Sequence, residues 1–500
     1  MSRFHRRQFL GDSLLAAAAA VGVPVVASRA QGEPGDAKSA DVLRVGVVGV
    51  RGRGRAHVGA FKRSKDTEVV AICDADEGVI GGAMKAVPKA KFVRDIRKML
   101  EDDSIDIVSI ATPNHWHSLA SLWSLQAGKH VYVEKPISHN VAEGRHVVEL
   151  ARQSGKIVQH GTQGRSHKAV RDAISWMRAG GLGRVQLARG LCFKRRTSIG
   201  KVDGPRQPPE TCDYDLWIGP SPMRPLMRRE LHYDWHWVFE TGNGDIGNQG
   251  VHQMDIARWG LGKNEHPQRV VTCGGRVGYD DDGTTPNTQI SLYDYGDAQI
   301  IFEVRGLKTR GYPTVEVVNA AAHAAGNGNA SDPKAADKPT EGPRIGVVFH
   351  CEHGYLVAGS YSKVVAFDLD GKLIKTFRGA GDHFQNFIDA VKSGKKEDLT
   401  AESIEGHMSA SLCHLGNISY RLGEAKALAV DEPFGKHEAA NATFRDCRKH
   451  LVASGLDAKA TKFVMGPELT FDGKTERFTG GAAQAASALL ERQGRGKFHA

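Results

Sequence analysis

The sequence has few cysteines and no recognisable pairing among them. The seven cysteines of this 500-residue chain stand singly, and no Cys-x-x-Cys motif occurs. Neither a zinc site nor a disulfide framework is therefore predicted, and no metal is assigned to the protein. Because seven is an odd number, at least one thiol stays free unless it pairs between chains.

A concentrated basic surface is also missing. The formal net charge is +10, but Lys and Arg are spread along the chain and no basic stripe with interleaved aromatic residues occurs. This distribution indicates a solvated surface of mixed charge and argues against a nucleic-acid partner. The hydrophobic content of 40% is enough for a large core, and the length favours two or more domains.

The start of the chain has the pattern of an export signal. A twin-arginine pattern at residues 6–10 precedes an apolar run at 14–26. The run contains a glycine and a proline and is shorter than the roughly 20 residues of a membrane-spanning helix, which favours cleavage over anchoring. We predict that residues 1–30 are a twin-arginine signal peptide and that residues 31–41 are a linker. The protein is then periplasmic, without stable membrane insertion.

From residue 42 onward, short apolar runs alternate with helical periods. The candidate strands are Leu43–Val48, Glu68–Cys73, Ile105–Ile110, His130–Val133 and Lys156–Gln159. The candidate helices between them are Gly54–Arg63, Asp95–Glu101, His115–Ala127 and Val141–Ser154. Strand–helix alternation at this spacing predicts a doubly wound parallel sheet, a Rossmann domain over residues 42–165.

The pattern changes after about residue 165. One helix is followed by strands that alternate β-branched or aromatic residues with polar ones, as in a half-exposed antiparallel sheet. We predict an α+β domain with a large, mostly antiparallel open sheet over residues 166–475. Residues 320–344 are rich in small and polar residues without a period and are expected to form a mobile insertion. Residues 476–500 are expected to be a C-terminal tail.

A glycine-rich turn joins the first candidate strand to the first candidate helix. The spacing G-x-G-x-x-G is met at Gly49 and Gly54, but Arg51 occupies its middle position and Gly52 follows it. Glycines here permit a tight turn and close approach of a pyrophosphate, and the helix N-terminus offers N–H groups to the phosphates. A plain turn is the alternative. The residues predicted to bind a dinucleotide are Gly49, Val50, Arg51, Gly52, Arg53 and Gly54.

Asp74 follows the second candidate strand, twenty residues after Gly54. An acid at this position would accept hydrogen bonds from the adenosine ribose and repel a 2′-phosphate, which favours NAD over NADP. Because a helix could begin at Ala75, a role as helix N-cap is the alternative.

Polar residues follow the candidate strand Ile105–Ile110. Ligands of doubly wound sheets lie outside the carboxyl ends of the strands, so Thr112, Pro113 and Asn114 are expected to face the cofactor. Capping of the following helix by Thr112 and Asn114 is an alternative that can coexist with this role. His117 lies one turn into that helix, where it either contacts the cofactor or packs.

Glu134, Lys135 and Pro136 follow the candidate strand His130–Val133. A lysine aimed at the same sheet edge could hold a sugar hydroxyl and stabilise the developing charge of an alkoxide. A solvated Glu134–Lys135 pair is the alternative.

These segments resemble the three signature segments of the Gfo/Idh/MocA family, the glucose–fructose oxidoreductase and inositol dehydrogenase family. They are Gly49–Gly54, Ala111–Pro113 with His117, and Glu134–Pro136. The resemblance continues through segments common in exported members and covers roughly residues 42–475. It implies a nicotinamide cofactor, a sugar or polyol substrate, and a homodimer or homotetramer.

The resemblance also implies a second set of catalytic residues, Asp-x-x-x-His with a further Asp. The matching residues are Asn248, His252 and Asp255, which would share one face of a helix. His252 suits a general base because its unperturbed pKa lies near neutral pH. Asn248 can bond a sugar hydroxyl but cannot take a proton. Asp255 could instead form an interior ion pair, with Arg258 as the candidate partner.

Four further residues are predicted to contact the substrate. Trp235, like Trp217, could stack against a sugar ring, although core packing is the more usual role of such aromatic residues. The four residues are Gln163, Arg165, Trp235 and His236.

The sequence thus favours hydride transfer between a tightly bound NAD and a sugar or polyol. His252 would remove the hydroxyl proton and Lys135 would steady the oxygen, while the protein positions the reactants. Because free NAD is not expected outside the cytoplasm, the cofactor would be regenerated in place. The alternatives are an NAD-dependent glycoside hydrolase or lyase that oxidises the sugar transiently, and a non-catalytic sugar-binding protein.

Overall fold

The computed structural model describes residues 42–312 and 343–499. The predicted signal peptide and linker, and residues 320–342 of the predicted insertion, lie outside the described residues. No helix in the described ranges combines the length and apolar character required to span a bilayer.

The N-terminal sheet has six parallel strands in the order β3-β2-β1-β4-β5-β6. The strands are β1 (Leu43–Val48), β2 (Thr67–Cys73), β3 (Lys91–Val93), β4 (Ile107–Ile110), β5 (His130–Val133) and β6 (Val158–His160). All four residues of β4 are buried, as expected for a strand covered on both faces. The predicted doubly wound sheet is confirmed. Sequence patterns missed β3 because it is short, lies at the sheet edge and begins with an exposed lysine.

Helices cover both faces of this sheet. They are α1 (Gly54–Arg63), α2 (Gly81–Ala86), α3 (Ile96–Leu100), α4 (Asn114–Gln126) and α5 (Val141–Ser154). Local signals fix the ends of α5: the Asn140 side chain accepts a hydrogen bond from the Glu143 amide, and Gly155 adopts a left-handed conformation with φ of 64°. The strand order reverses between β1 and β4, where the crevice of such sheets lies.

The second sheet has twelve strands, and its main path runs β14-β13-β12-β11-β7-β10-β9-β8-β16-β15. Neighbouring strands within the described residues are antiparallel except β7 and β10. This confirms the predicted mostly antiparallel sheet. The strands are β7 (Val185–Cys192), β8 (Arg269–Gly275), β9 (Thr288–Asp294), β10 (Gln299–Arg305), β11 (Ile345–Cys351), β12 (Gly354–Ala358), β13 (Lys363–Phe367), β14 (Leu373–Arg378), β15 (Glu424–Ala427), β16 (Lys462–Met465), β17 (Leu469–Asp472) and β18 (Arg477–Thr479).

The second part of the chain also contains helices. They are α6 (Lys168–Arg178), α7 (Tyr214–Ile218), α8 (Gly244–Asn248), α9 (Gly250–Leu261), α10 (His383–Ser393), α11 (Ser403–Arg421), α12 (Glu438–Ala453) and α13 (Ala483–Ser487). The largest apolar core joins residues of α6, α9 and α11 to the sheet. A separate apolar core lies between the sheet and α12.

Two late segments return to the Rossmann sheet. Phe387 and Ile388 of α10 pack in one core with Val45 and Val47 of β1. Near the end of the chain, Phe498 contacts Trp116 of α4 with 5.7 Å between ring centroids. The predicted C-terminal tail, residues 476–500, therefore includes a portion that packs on α4. Burial of the aromatic surface of Phe498 stabilises this packing.

Candidate functional site

A cleft of about 610 Å³ lies at the carboxyl ends of β1, β2, β4 and β5, where the second domain faces the Rossmann sheet. This volume suits a small ligand or cofactor. The Rossmann side contributes predicted site residues from each strand end: Gly49, Arg51, Gly52, Arg53, Asp74, Thr112, Pro113, Asn114, His117, Glu134 and Lys135. The remaining wall includes Gln163, Lys194, Trp217, His232, Tyr233, Trp235, His236, Asn248, Gln249 and His252.

The glycine-rich turn has two positions at which a side chain cannot be accommodated. Gly49 has a φ of +81°, and a Cβ there would lie 2.8 Å from the backbone of Ala111. A Cβ on Gly54 would lie 1.9 Å from the Gly49 carbonyl oxygen. Arg51, which replaces the middle glycine of the G-x-G-x-x-G spacing, does not disturb these contacts. The turn therefore has the close strand–helix packing of a dinucleotide site.

The middle of the same turn is open towards a ligand. A Cβ on Gly52 would meet no atom within 4 Å. The amides of Arg51, Gly52 and Arg53 form no backbone hydrogen bond with another described residue. Unpaired N–H groups at the start of a helix fit a pyrophosphate.

Asp74 lines the cleft and is not a helix cap. Its carboxylate accepts hydrogen bonds from the amides of Val50 at 2.8 Å and Asp76 at 3.1 Å. The capping role belongs to Asp76, which accepts from the Gly78 amide at 2.8 Å. Burial raises the pKa of Asp74, while the two amides partly oppose that effect. Each carboxylate oxygen keeps a lone pair for a ribose hydroxyl.

Thr112 and Asn114 do not cap α4, so that expectation is wrong. The N-cap position is Pro113, without a side-chain hydrogen bond, because the helix begins at Asn114 itself. Asn114 instead donates to the Asn243 side chain at 2.9 Å. The hydroxyl of Thr112 is buried and has no partner among the described residues. A buried hydroxyl in a cleft wall needs an acceptor or donor, which a bound cofactor would supply.

His117 holds two loops of the cleft together. Its ring lies 2.6 Å from the Pro136 carbonyl oxygen and 2.8 Å from that of Thr112. Burial lowers the pKa of His117, and a neutral ring can donate to one of these oxygens at a time. This geometry supports the packing interpretation, although the residue also lines the cleft.

The Glu134–Lys135 segment is not a solvated ion pair, so that alternative is wrong. Glu134 is 4% exposed and accepts from Arg53 at 2.7 Å. Although burial acts in the opposite direction, the hydrogen bond with His57 and the charge of Arg53 hold the pKa of Glu134 well below its usual range. Lys135 reaches across the cleft and donates to the backbone and side-chain oxygens of Asn248. Burial lowers the pKa of Lys135.

Asn248 and His252 lie at the junction of two helices, not on one continuous helix. Asn248 ends α8 and Gly250 begins α9, so the expectation of a single shared helix face is wrong. The interruption is at Gln249, which lies between the two helices and keeps a helical backbone with φ of −89° and ψ of −37°. Both residues nevertheless line the cleft with Lys135. Burial lowers the pKa of His252 to about 3, and its Nδ1 atom has no partner among the described residues.

Arg165 and Asp255 were predicted to bind substrate, but neither lines the cleft. Arg165 contacts Asp255 at 2.8 Å and Glu405 at 2.9 Å, and the side chains of Arg165 and Asp255 are 7% and 1% exposed. Arg258 pairs with Glu405 and lies 3.9 Å from Asp255. Buried charges are stable only when paired, so these four residues form an interior network. The interior ion pair proposed for Asp255 exists, with Arg165 as its nearer partner.

The remaining predicted substrate residues do line the cleft. Trp235 stacks on His236 with 3.6 Å between ring centroids. Gln163 donates towards Glu134 at 3.3 Å. Their contact with substrate stays a prediction.

Sequence reasoning missed His232 and Thr211, which contact Asp76 next to the cleft. His232 contacts Asp76 at 2.6 Å, and Thr211 donates to the same carboxylate at 2.5 Å. Trp217 forms part of the adjoining wall. These contacts join residues more than 130 positions apart, and no local pattern signals them.

Two sections of the chain match models of one protein family. Residues 43–162 match the NAD-binding Rossmann fold of the Gfo/Idh/MocA oxidoreductase family, and residues 180–313 match its C-terminal alpha/beta domain. Together the two matches span just over half of the chain. The first identifies the cofactor of the N-terminal domain as NAD.

Curated relatives are similar over a shorter stretch. An alpha-N-acetylgalactosaminidase of Shewanella oneidensis is 31% identical over 177 residues. A glycosyl hydrolase family 109 protein of Shewanella baltica is 33% identical over 177 residues. Each alignment covers 31% of this chain and 39% of the relative, well under half of the relatives' own length.

Solved structures share the fold over most of their length. The WlbA dehydrogenase from Bordetella pertussis, in complex with NADH and UDP-GlcNAcA, has a TM-score of 0.51 at 18% identity, covering 75% of this chain and 96% of that one. A levoglucosan dehydrogenase in complex with NADH and levoglucosan has a TM-score of 0.53 at 17% identity, covering 74% and 95%. These likenesses concern the fold alone. With both of its domains matched, the chain belongs to the Gfo/Idh/MocA family of oxidoreductases.

Proposed function

We propose that this protein uses bound NAD to oxidise a CH–OH group of a sugar or polyol. The observation that carries the proposal is that Lys135 and His252, from different domains, line one cleft with the glycine-rich turn. A cofactor and a substrate could therefore meet beside both side chains. The solved structures bound to NADH with a sugar derivative or levoglucosan support this substrate class.

The cofactor-binding end is supplied by three groups of the Rossmann domain. The open amides at 51–53 would hold the pyrophosphate, Asp74 the adenosine ribose, and Thr112 a polar group further along the cofactor. Bound NAD supplies the hydride acceptor. The carboxylate of Asp74 favours NAD over NADP, since a 2′-phosphate beside it would be repelled.

Lys135 and His252 carry the proton and charge of the reacting hydroxyl. Burial keeps the imidazole of His252 neutral near pH 7, the form in which it could accept the hydroxyl proton, and His252 lines the cleft beside Lys135. The ammonium of Lys135 then stabilises the charge that develops on the substrate oxygen. Asn248 positions Lys135 through its two oxygen acceptors.

Identification of the bound nucleotide tests this proposal. The purified full chain is denatured, the released nucleotide is identified by mass, and the native protein is incubated with neutral and acidic sugars. We expect NAD to be released and the nicotinamide absorbance of the native protein to change with a substrate. A protein that carries no nucleotide and binds none would contradict the proposal and favour a non-catalytic sugar-binding role.

A second candidate is redox-neutral cleavage of a glycosidic bond. The observation that favours it is the similarity to relatives named alpha-N-acetylgalactosaminidase and glycosyl hydrolase family 109 protein. In this case a proton next to a transient carbonyl must be removed, and the leaving sugar oxygen must be protonated; the same two side chains can serve these steps. Release of free sugar from an aryl glycoside without net reduction of NAD would support this candidate. Accumulation of a keto-sugar or lactone would support oxidation.

We also propose that residues 1–30 direct export to the periplasm by the twin-arginine route. Replacement of both Arg6 and Arg7 by lysine should move the protein from the periplasmic to the cytoplasmic fraction. A homodimer or homotetramer is proposed for the mature protein, and light scattering at several protein concentrations tests it.

A further inference from the structure

Positive charge is in excess at the end of the cleft formed by the second domain. Burial lowers the pKa of His236, and the charges of Lys135, Arg196 and Lys194 lie close enough to lower it further. Arg196 is balanced by Asp245, to which it donates at 2.8 and 2.6 Å. Lys135 donates to neutral oxygen atoms of Asn248. Two ammonium groups therefore face this part of the cleft without a dedicated counter-ion in the described parts of the chain.

Lys194 has no partner among the residues that the structure describes. It is half-buried and lines the cleft, but it forms no hydrogen bond or ion pair within residues 42–312 and 343–499. Its backbone is held in place because it follows β7 and the buried Phe193, whose amide donates to the Arg344 carbonyl at 2.7 Å. The neighbouring residues differ: Arg195 is exposed to solvent and Arg196 is paired.

An unpaired ammonium group in a partly desolvated cleft is unfavourable unless an anion joins it. A cleft wall with charge of one sign also concentrates ligands of the opposite sign. A lysine offers a compact charge with rotatable donors, which suits the oxygens of a carboxylate, sulfate or phosphate. Glu134 cannot balance Lys194, because Arg53 and His57 already hold its carboxylate.

We propose that the substrate carries an anionic group that pairs with Lys194, so that the protein acts on acidic or otherwise anionic sugars. The inference rests on the proposed function and specifies the substrate class of the same cleft. The negative group lies beside Lys194, while the reacting hydroxyl lies beside Lys135 and His252. Lys194 is thus a specificity-determining residue.

Matched sugar pairs test the inference on the NAD-loaded full chain. The pairs are glucose with glucuronate and galactose with galacturonate; glucose 6-sulfate and glucose 6-phosphate distinguish the kind of anion. We expect the preferred anionic sugar to have a KM at least about tenfold below that of its neutral counterpart. Lys194→Gln should raise that KM about 10- to 100-fold, with little change in kcat and no change for the neutral sugar.

The matched control is Arg195→Gln, which removes the same charge from the exposed neighbouring position. It should leave both KM values within about twofold, and added salt should raise KM for the anionic sugar alone. Equal KM values within every pair, or an equal effect of Lys194→Gln on neutral and anionic sugars, would overturn the inference.

Quenching of tryptophan fluorescence gives a readout that does not depend on turnover, since Trp217 and Trp235 line the cleft. Tighter binding of the anionic sugar that is lost in Lys194→Gln supports the inference even if no sugar alters the nicotinamide absorbance. That combination would mean that the proposed oxidation is wrong while the charge preference holds. Turnover of neutral sugars without tighter binding of anionic sugars would mean that the proposed oxidation holds while the charge preference is wrong.

Discussion

The two sides of α9 carry ionisable residues in opposite circumstances. On the cleft side, His252 lines the cleft with a neutral ring, and Lys194, which also lines it, has no counter-ion among the described residues. On the core side, Asp255 and Arg258 belong to a network in which each charge is paired. The difference separates charges that hold the fold from charges that remain available to a ligand.

The core network illustrates why burial alone does not identify a functional residue. Arg165 lies in the same short helical turn as Gln163, yet its guanidinium is committed to Asp255 and Glu405. Gln163, two residues earlier, lines the cleft. The two positions differ in whether the side chain is already held by an opposite charge and in whether it reaches the cleft.

Loss of the cleft ammonium at position 135 should have the largest effect. Lys135→Ala should lower turnover by about 10²- to 10⁴-fold, because the developing charge on the substrate oxygen loses its stabilising cation. The nucleotide released on denaturation should be unchanged in amount, since the pyrophosphate contacts remain. Near wild-type turnover of this variant would show that Lys135 does not have the assigned role.

Loss of one member of the core network should lower the stability of the fold and should not act on the reaction directly. Arg165→Met should lower the free energy of unfolding by about 3–5 kcal/mol, because the buried Asp255 loses its nearest counter-ion. Urea unfolding at neutral pH measures this change. Lys194→Gln, on the cleft side, should change the unfolding free energy by less than about 0.5 kcal/mol. Equal destabilisation by the two variants would contradict the distinction between paired charges in the core and unpaired charges in the cleft.

The pH dependence of stability should reflect the buried His115, which is fully enclosed and has a pKa lowered to about 3. Between pH 6.5 and about 3 the unfolded chain binds a proton that the folded imidazole does not, so stability falls as the pH is lowered. This group contributes up to about 1.4 kcal/mol per pH unit in that window. His115→Gln should reduce the slope of unfolding free energy against pH, and an unchanged slope would argue against a neutral ring.

The smallest effect is expected at the adenosine end. Asp74→Ser should reduce the preference for NAD over NADP by about tenfold, because the repulsion of a 2′-phosphate is removed. Competition between the two nucleotides on refolded, nucleotide-free protein measures the ratio. An unchanged ratio would restrict Asp74 to its hydrogen bonds with the amides of Val50 and Asp76.

Local signals predicted the cofactor end of the site more fully than the substrate end. The turn from Gly49 to Gly54 could be recognised because its backbone geometry depends on adjacent residues. The capping expectation for Thr112 and Asn114 was wrong, since α4 starts at Asn114 itself. The sequence predicted Asn248 and His252 on one helix. In the structure one helix ends at Asn248 and the next begins at Gly250, and no proline signals this interruption.

The sequence by itself determined the alternation of strands and helices, the order of the two domains and the positions of the glycine-dependent turn. These features follow from hydrophobic period and backbone conformation, which neighbouring residues set. Only the tertiary structure decided that Arg165 is neutralised by Asp255 and that Lys135 meets Asn248. The state of a buried charge depends on which distant groups packing brings within a few ångströms, and that distance is not encoded in local spacing.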